Sequence, residues 1–295
     1  MSSNTPSHTI NVKRIRNKYD INLNIIIETT PFSIIYEGYK LNTLGMNEVI
    51  IETIPLKNQV FSLKVTHPYI IEIEETIYDK YNLYIIYPNY KKYKKINIIN
   101  QNKFNNFFNE FRDIIIFIVD NKIDIEPIKI TDIYDKNNIY VLIHKKQQNK
   151  TNIKYGSPIY SPPEIFDKKE IYLTEQLLWN FGILLYQIIK NNSPYTDCKD
   201  IKDIINTSRV ICFEETEEDQ FLKQFLNNNN CDRINYSQFL KIDITKYNFF
   251  NTNINNTNIN NTNDKDYKDY KDYKDDIKQK SYKNKTNDEI FEMDL

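Results

Sequence analysis

The sequence predicts an α+β fold, and three observations predict it. Short segments rich in Ile, Val and Tyr, bounded by turn residues, crowd residues 19–90. Two long stretches, 101–120 and 174–191, instead carry apolar residues at helical spacing. Strands come first and helices afterwards, so the two kinds of element segregate along the chain rather than alternate as they do around a parallel sheet.

Along the chain, residues 1–18 are polar and basic and read as a flexible leader. Ser33–Tyr39, Glu48–Ile54 and Leu83–Tyr87 are then strand candidates of an antiparallel sheet, with turns at Asn42–Asn47 and Asp79–Asn82. Residues 101–120 form the first helix. Asp135-Lys136-Asn137-Asn138 reads as a hairpin turn between two further strands. In 174–191, Leu177, Leu178, Phe181, Leu184, Leu185 and Ile188 almost surround the axis, which marks a helix buried on most sides. From residue 247 the chain turns to Asn-Thr-Asn-Ile repeats and Asp-Tyr-Lys triplets, so 247–295 read as a disordered low-complexity tail. One domain, 19–246, remains, β-rich over 19–90 and mainly helical over 91–246.

The 295 residues suffice to bury a sizeable core. A net charge of −1 argues against a strongly basic nucleic-acid binder. The apolar run Ile114–Val119 is too short to span a membrane, and Met1–Pro6 lacks the basic-then-apolar pattern of a signal peptide. Cys198, Cys212 and Cys231 have neither disulfide-framework nor metal-site spacing and read as reduced, buried or half-buried thiols. His67 belongs to a His-Pro turn, His8 to the leader and His144 to an exposed stretch, so none supplies a metal site or a nucleophile–base pair. The expectation is an intracellular, cytoplasmic protein with no cofactor and no nucleic-acid or membrane partner.

Several motifs point to one family. They are His67-Pro68-Tyr69-Ile70-Ile71, Asn82-Leu83-Tyr84-Ile85-Ile86, Gly156-Ser157-Pro158-Ile159-Tyr160-Ser161-Pro162-Pro163-Glu164-Ile165, the helix Leu178–Tyr186, Ser193-Pro194-Tyr195, and Asp232-Arg233-Ile234 followed by Ser237–Leu240. In order and spacing they resemble the eukaryotic-type Ser/Thr protein kinase superfamily. The first two are similar to its fourth and fifth strands. The Gly156 stretch is similar to the end of its activation loop, Leu178–Tyr186 to its central buried helix, Ser193–Tyr195 to the short loop after that helix, and Asp232–Ile234 to the entry of its last helix. The resemblance implies a two-lobed fold, with a small β-rich N-lobe over 19–90 and a larger helical C-lobe over 91–246. It also implies a buried ion pair between Glu164 and Arg233.

The same resemblance places chemistry-bearing positions on unsuitable residues. Kinase catalysis is positioning plus charge stabilisation and needs particular groups. The phosphate-loop glycines fall on Glu28, Thr30 and Ser33, with Pro31 removing a donor. The phosphate-binding lysine becomes Glu52, preceded by Ile50 where the family has a small alanine. At about 4 Å and an effective dielectric near 20, reversing that charge replaces an attraction of roughly 4 kcal/mol by a repulsion. Leu56–Val65 offers no glutamate to complete a Lys–Glu pair. The catalytic loop aligns with Asp124–Thr131, where Glu126 keeps a carboxylate at the base position and Thr131 replaces the metal-binding asparagine. The Asp-Phe-Gly motif becomes His144-Lys145-Lys146, which offers magnesium no hard oxygen ligand. Leu177 stands where an aspartate braces the catalytic loop.

Other registers fare no better. Phe111-Arg112-Asp113 puts Ile118 at the asparagine position, and Asp132 with Asn137 puts Tyr134 at the lysine position. The chain has four glycines, Gly38, Gly45, Gly156 and Gly182, all outside the phosphate loop and the metal motif. The resemblance therefore implies an inactive kinase-like domain, a pseudokinase, acting as a binding, scaffold or regulatory module for a protein partner docked on the helical lobe. Two alternatives stand beside it. One is a residual Ser/Thr kinase using Glu126 with unconventional ATP and metal handling. The other is a non-hydrolysing nucleotide switch with an adenine ring held by the backbone near Tyr87–Tyr90.

Overall fold

The computed structural model describes residues 11–30, 33–43, 45–56, 65–98, 100–135, 139–143, 158–167 and 171–250. Its first half is a six-stranded antiparallel sheet of β1 (Val12–Ile15), β2 (Tyr19–Thr29), β3 (Ile34–Asn42), β4 (Gly45–Pro55), β5 (Glu75–Tyr78) and β6 (Asn82–Pro88), in the order β1-β2-β3-β4-β6-β5. Side chains alternate across a strand, and both faces of this sheet are covered. Ile50, Ile54, Leu83, Ile85 and Tyr87 enter one apolar cluster. Val49, Ile51, Tyr84 and Ile86 enter another with Ile15, Tyr19 and Ile77. This two-sided burial is why Val49–Ile51 of β4 and Leu83–Tyr87 of β6 read as unbroken apolar runs.

The sheet curls so that the β1–β2 turn reaches β5. Lys18 and the Tyr19 hydroxyl both bond Glu75, and Lys13 meets Asp79 and the Tyr84 hydroxyl. Arg16 donates to the Tyr78 carbonyl at 3.5 Å.

Three sequence expectations need correction here. Residues 12–15 are not a loose leader: they pair with Tyr19–Asn22 as β1. The cations of that stretch suggested solvation, but Lys13, Arg14 and Lys18 all have carboxylate partners, while Ile15 and Tyr19 are buried. The turn expected over Asn42–Asn47 is tighter, because Asn42 already pairs with Gly45. Gly45 adopts φ +139, a backbone region that side chains disfavour. His67–Ile71 is not a strand of the large sheet. Pro68 lacks an N–H, Ile70 folds back on the His67 carbonyl, and Ile70 bridges Val141 in parallel. The next strand of the large sheet begins only at Glu75.

The second half is helical: α1 (Gln101–Asp120), α2 (Leu173–Lys190), α3 (Ile201–Ser208), α4 (Glu217–Leu226) and α5 (Tyr236–Phe239). A small antiparallel sheet of β7 (Lys94–Lys95), β8 (Ile133–Asp135) and β9 (Ile139–Val141) precedes α2. Asn100 caps α1 by accepting the Lys103 N–H. Phe104, Phe107, Phe108, Phe111, Ile114, Ile115 and Ile118 form its buried stripe. α2 is buried from Leu177 to Leu185, with Phe181 stacked on Phe111 at 4.8 Å. A β-carbon on Gly182 would lie 2.6 Å from the Phe225 β-carbon, so α4 packs on α2 because that side chain is missing.

The low-complexity reading also began too early. Tyr247 and Phe249 pack on Phe221, Phe250 on Phe104, and the Phe249 N–H donates to Gln101 at 2.8 Å. Three aromatic rings in four residues bury enough surface to hold this stretch on the helices. Residues 251–295 lie outside the described residues. Among the described residues, no helix is long and apolar enough to cross a membrane.

Candidate functional site

The candidate site is the seam where the large sheet meets β8 and the turn before it. β4 carries Ile50 and Glu52 on the seam side, and Ile50 is paired in register with Tyr87 of β6. Glu52 is buried, and the Tyr87 hydroxyl donates to its Oε2 at 3.1 Å. Burial, then the charge of Glu52, pushes the Tyr87 phenol well above its ordinary pKa and keeps it protonated. The Tyr90 ring lies edge-on to Tyr87 at 6.0 Å and 5.2 Å from Tyr134. The Tyr90 phenol is also raised, by burial first and then by Tyr134, Glu52, Glu28 and Asp132. Three carboxylates from three separate elements therefore act on one phenol.

The β2–β3 turn closes on itself. The Thr30 N–H donates to the Ser33 carbonyl at 2.9 Å, the Ser33 N–H donates to the Thr30 hydroxyl at 2.9 Å, and the two hydroxyls are 2.9 Å apart. Those two backbone donors are engaged within the turn, with Glu28 half-buried just before it. Pro31 and Phe32 lie outside the described residues.

On the opposite side, a 3-10 turn, Ile130–Asp132, leads into β8. It leaves Thr131 exposed and buries Asp132, whose Oδ2 accepts the Lys129 N–H at 3.1 Å. The inward side chain is thus Asp132, one residue past the position expected from sequence. Glu126 is half-buried before Pro127. His144, Lys145 and Lys146 lie outside the described residues.

This loop is braced by a residue that sequence reasoning missed. Asn180, buried on α2, accepts the Ile128 N–H at 2.9 Å and donates to the Ile128 carbonyl at 2.7 Å. An amide alone within the otherwise apolar stretch Leu177–Leu185 was the available signal, because a buried amide needs partners. Below it, the Tyr160 hydroxyl accepts the Ile130 N–H and donates to Gln187, both at 3.3 Å.

Farther from the seam, Glu164 and Arg233 form a bidentate pair at 2.9 and 2.8 Å. Arg233 also donates through Nε to the Asn227 carbonyl at 2.7 Å, and its guanidinium lies 4.4 Å above the Trp179 ring. Among the described residues, no group of three or more His, Cys, Asp or Glu is placed to hold a metal ion. Cys198 is half-buried, but Cys212 and Cys231 are exposed rather than buried, Cys212 in the stretch between α3 and α4 and Cys231 in the 3-10 turn Asn230–Asp232.

Chemically, the seam offers phenols and carboxylates. The Thr30 and Ser33 N–H groups at the β2–β3 turn are engaged, and the acids of the seam repel an approaching polyanion. No family model matches the chain.

Proposed function

We propose that this chain is a kinase-like, two-lobed domain without phosphotransfer chemistry, working as a binding or scaffold module for a protein partner. One observation carries the proposal: Glu52, at the position the resemblance gives to the phosphate-binding lysine, is buried with its carboxylate held by Tyr87. A carboxylate there opposes the phosphate charge that a lysine would neutralise. The surroundings support the same conclusion. Ile50, Tyr90 and Tyr134 share one apolar cluster, on the side where the resemblance would put an adenine ring, and the Thr30 and Ser33 N–H groups are taken up within their own turn. The Glu164–Arg233 pair supports the kinase-like half of the proposal, since it joins two motifs 69 residues apart.

The test is a thermal-shift titration with ATP, with and without magnesium. A ligand that binds only the folded state at 100 times its Kd adds about 2.7 kcal/mol, so binding would register clearly. The expected result is no concentration-dependent rise in Tm. Magnesium-dependent transfer from γ-labelled ATP, lost in Glu126→Ala, would overturn the proposal in favour of a residual kinase.

A further inference from the structure

The seam also contains a cation. Lys95 of β7 stands opposite Tyr134 of β8 in the ladder. Its ammonium lies 3.9 Å from the centre of the Tyr134 ring and donates to the Thr131 carbonyl. We propose that the seam is a binding site for an unbranched organic ammonium group, and that Lys95 is its resident, intramolecular guest.

The chemistry of the lining favours that ligand. An aromatic face attracts a cation through its quadrupole, also at a site open to solvent such as that of the exposed Lys95. Tyr134 supplies that face, and Tyr90 packs against it at 5.2 Å. Asp132 and Glu28 add opposite charge that favours the protonated ammonium. Although Lys95 is exposed as a residue, partial desolvation of its ammonium pulls its pKa down and the nearby Lys91 adds to that, whereas Asp132 and then Glu28 pull it up. The Thr131 carbonyl completes the set as a hydrogen-bond acceptor. Faces, charges and acceptor all suit a primary ammonium, and none suits a phosphate. Because the guest is tethered, it competes at an effective concentration in roughly the millimolar range. An external amine reaches the site only by displacing it.

The inference does not rest on the kinase-like proposal, because amine binding and ATP exclusion can each fail alone. The test removes the guest with Lys95→Ala and titrates three probes, following Tm: butylammonium, Nα-acetyl-lysine methylamide and the neutral butanol. Saturable stabilisation by butylammonium and by the lysine derivative is the expected result, with butanol inactive and the unaltered protein weaker by about tenfold or more. Response to butylammonium alone would assign the site to free amines, and response to the lysine derivative alone to a lysine of a partner chain. Either supports the ammonium chemistry. Adding Tyr134→Leu should abolish the rescue. Equal stabilisation by butanol, or none by any probe, overturns the proposal. Should Lys95→Ala not fold, NMR of the unaltered protein decides instead. The Lys95 ε-methylene protons should be shifted upfield by the Tyr134 ring, and ordinary lysine positions would refute a resident guest.

Discussion

Replacing Arg233 by methionine tests how the C-terminal half is held together. The substitution removes both hydrogen bonds to Glu164, the Nε bond to the Asn227 carbonyl and the cation over Trp179. It leaves Glu164 charged, with a side chain only 12% exposed against 10% for Arg233. Breaking a buried pair from one side costs about 3–5 kcal/mol, because the partner stays desolvated. The residual exposure here places the expectation near the lower end, about 3 kcal/mol. For a domain of this size that lowers Tm by roughly 6–12 °C. Urea unfolding followed by Trp179 fluorescence reads the loss directly. Arg233→Lys should fall between, since an ammonium cannot reproduce the two-pronged geometry. The double variant Arg233→Met/Glu164→Leu should regain about 1–3 kcal/mol over the sum of the single changes. A cost below about 1 kcal/mol, the range of exposed pairs, or strict additivity in the double variant, would refute the reasoning.

Three further outcomes follow from the geometry. Asn180→Leu strands the Ile128 N–H and carbonyl inside the protein and should cost about 2–4 kcal/mol in urea unfolding. An unchanged midpoint would show the brace to be dispensable. Gly182→Ala should destabilise by about 1–3 kcal/mol despite the better helix propensity of alanine, because α4 must move off α2; a raised Tm in calorimetry would contradict this. Burial opposes ionisation of Asp79, yet bonds from Tyr84 and the Tyr81 and Asn82 amides, with Lys13, outweigh it and carry its pKa down to about 2. A folded pKa below the unfolded one adds stability that is present above the ordinary value of 3.8 and is lost as pH falls toward 2. Asp79→Asn should therefore flatten the acid limb of the stability profile between those pH values, and an unaltered limb would exclude Asp79 as its source.

What was legible in the sequence was periodicity. The helix expected over 101–120 matches α1, and the strand candidates lie within or overlap β3, β4 and β6, because burial on one or two faces imprints a spacing on neighbouring residues. What was not legible depends on partners far along the chain. Lys18 reads as a solvated leader residue until Glu75, 57 positions away, is placed beside it. Asn180 shows its role only once Ile128, 52 positions away, is within reach. At the seam, Glu52 could be singled out from sequence, but the Tyr87, Tyr90 and Tyr134 rings around it come from β6, the turn after it and β8. The one-residue shift from Thr131 to Asp132 was hidden for a local reason, since a 3-10 turn rotates successive side chains differently from an extended loop.

The contacts that curl the large sheet also bear on whether its edges are open to other chains. An uncovered strand edge presents unpaired N–H and carbonyl groups to any other chain and so templates intermolecular pairing. The hazard is greatest for segments of high β-propensity and low net charge; Leu83–Tyr87 is such a segment, and only the short strand β5 separates it from the edge. Here the β1–β2 turn lies against β5, with Arg16 taking up the Tyr78 carbonyl and Lys18 and Tyr19 holding Glu75. A protein trimmed to begin at residue 19, as the polar look of the first residues invites, would lose β1 and Lys18 together and uncover both edges of its sheet, so that its first failing would be clumping rather than unfolding.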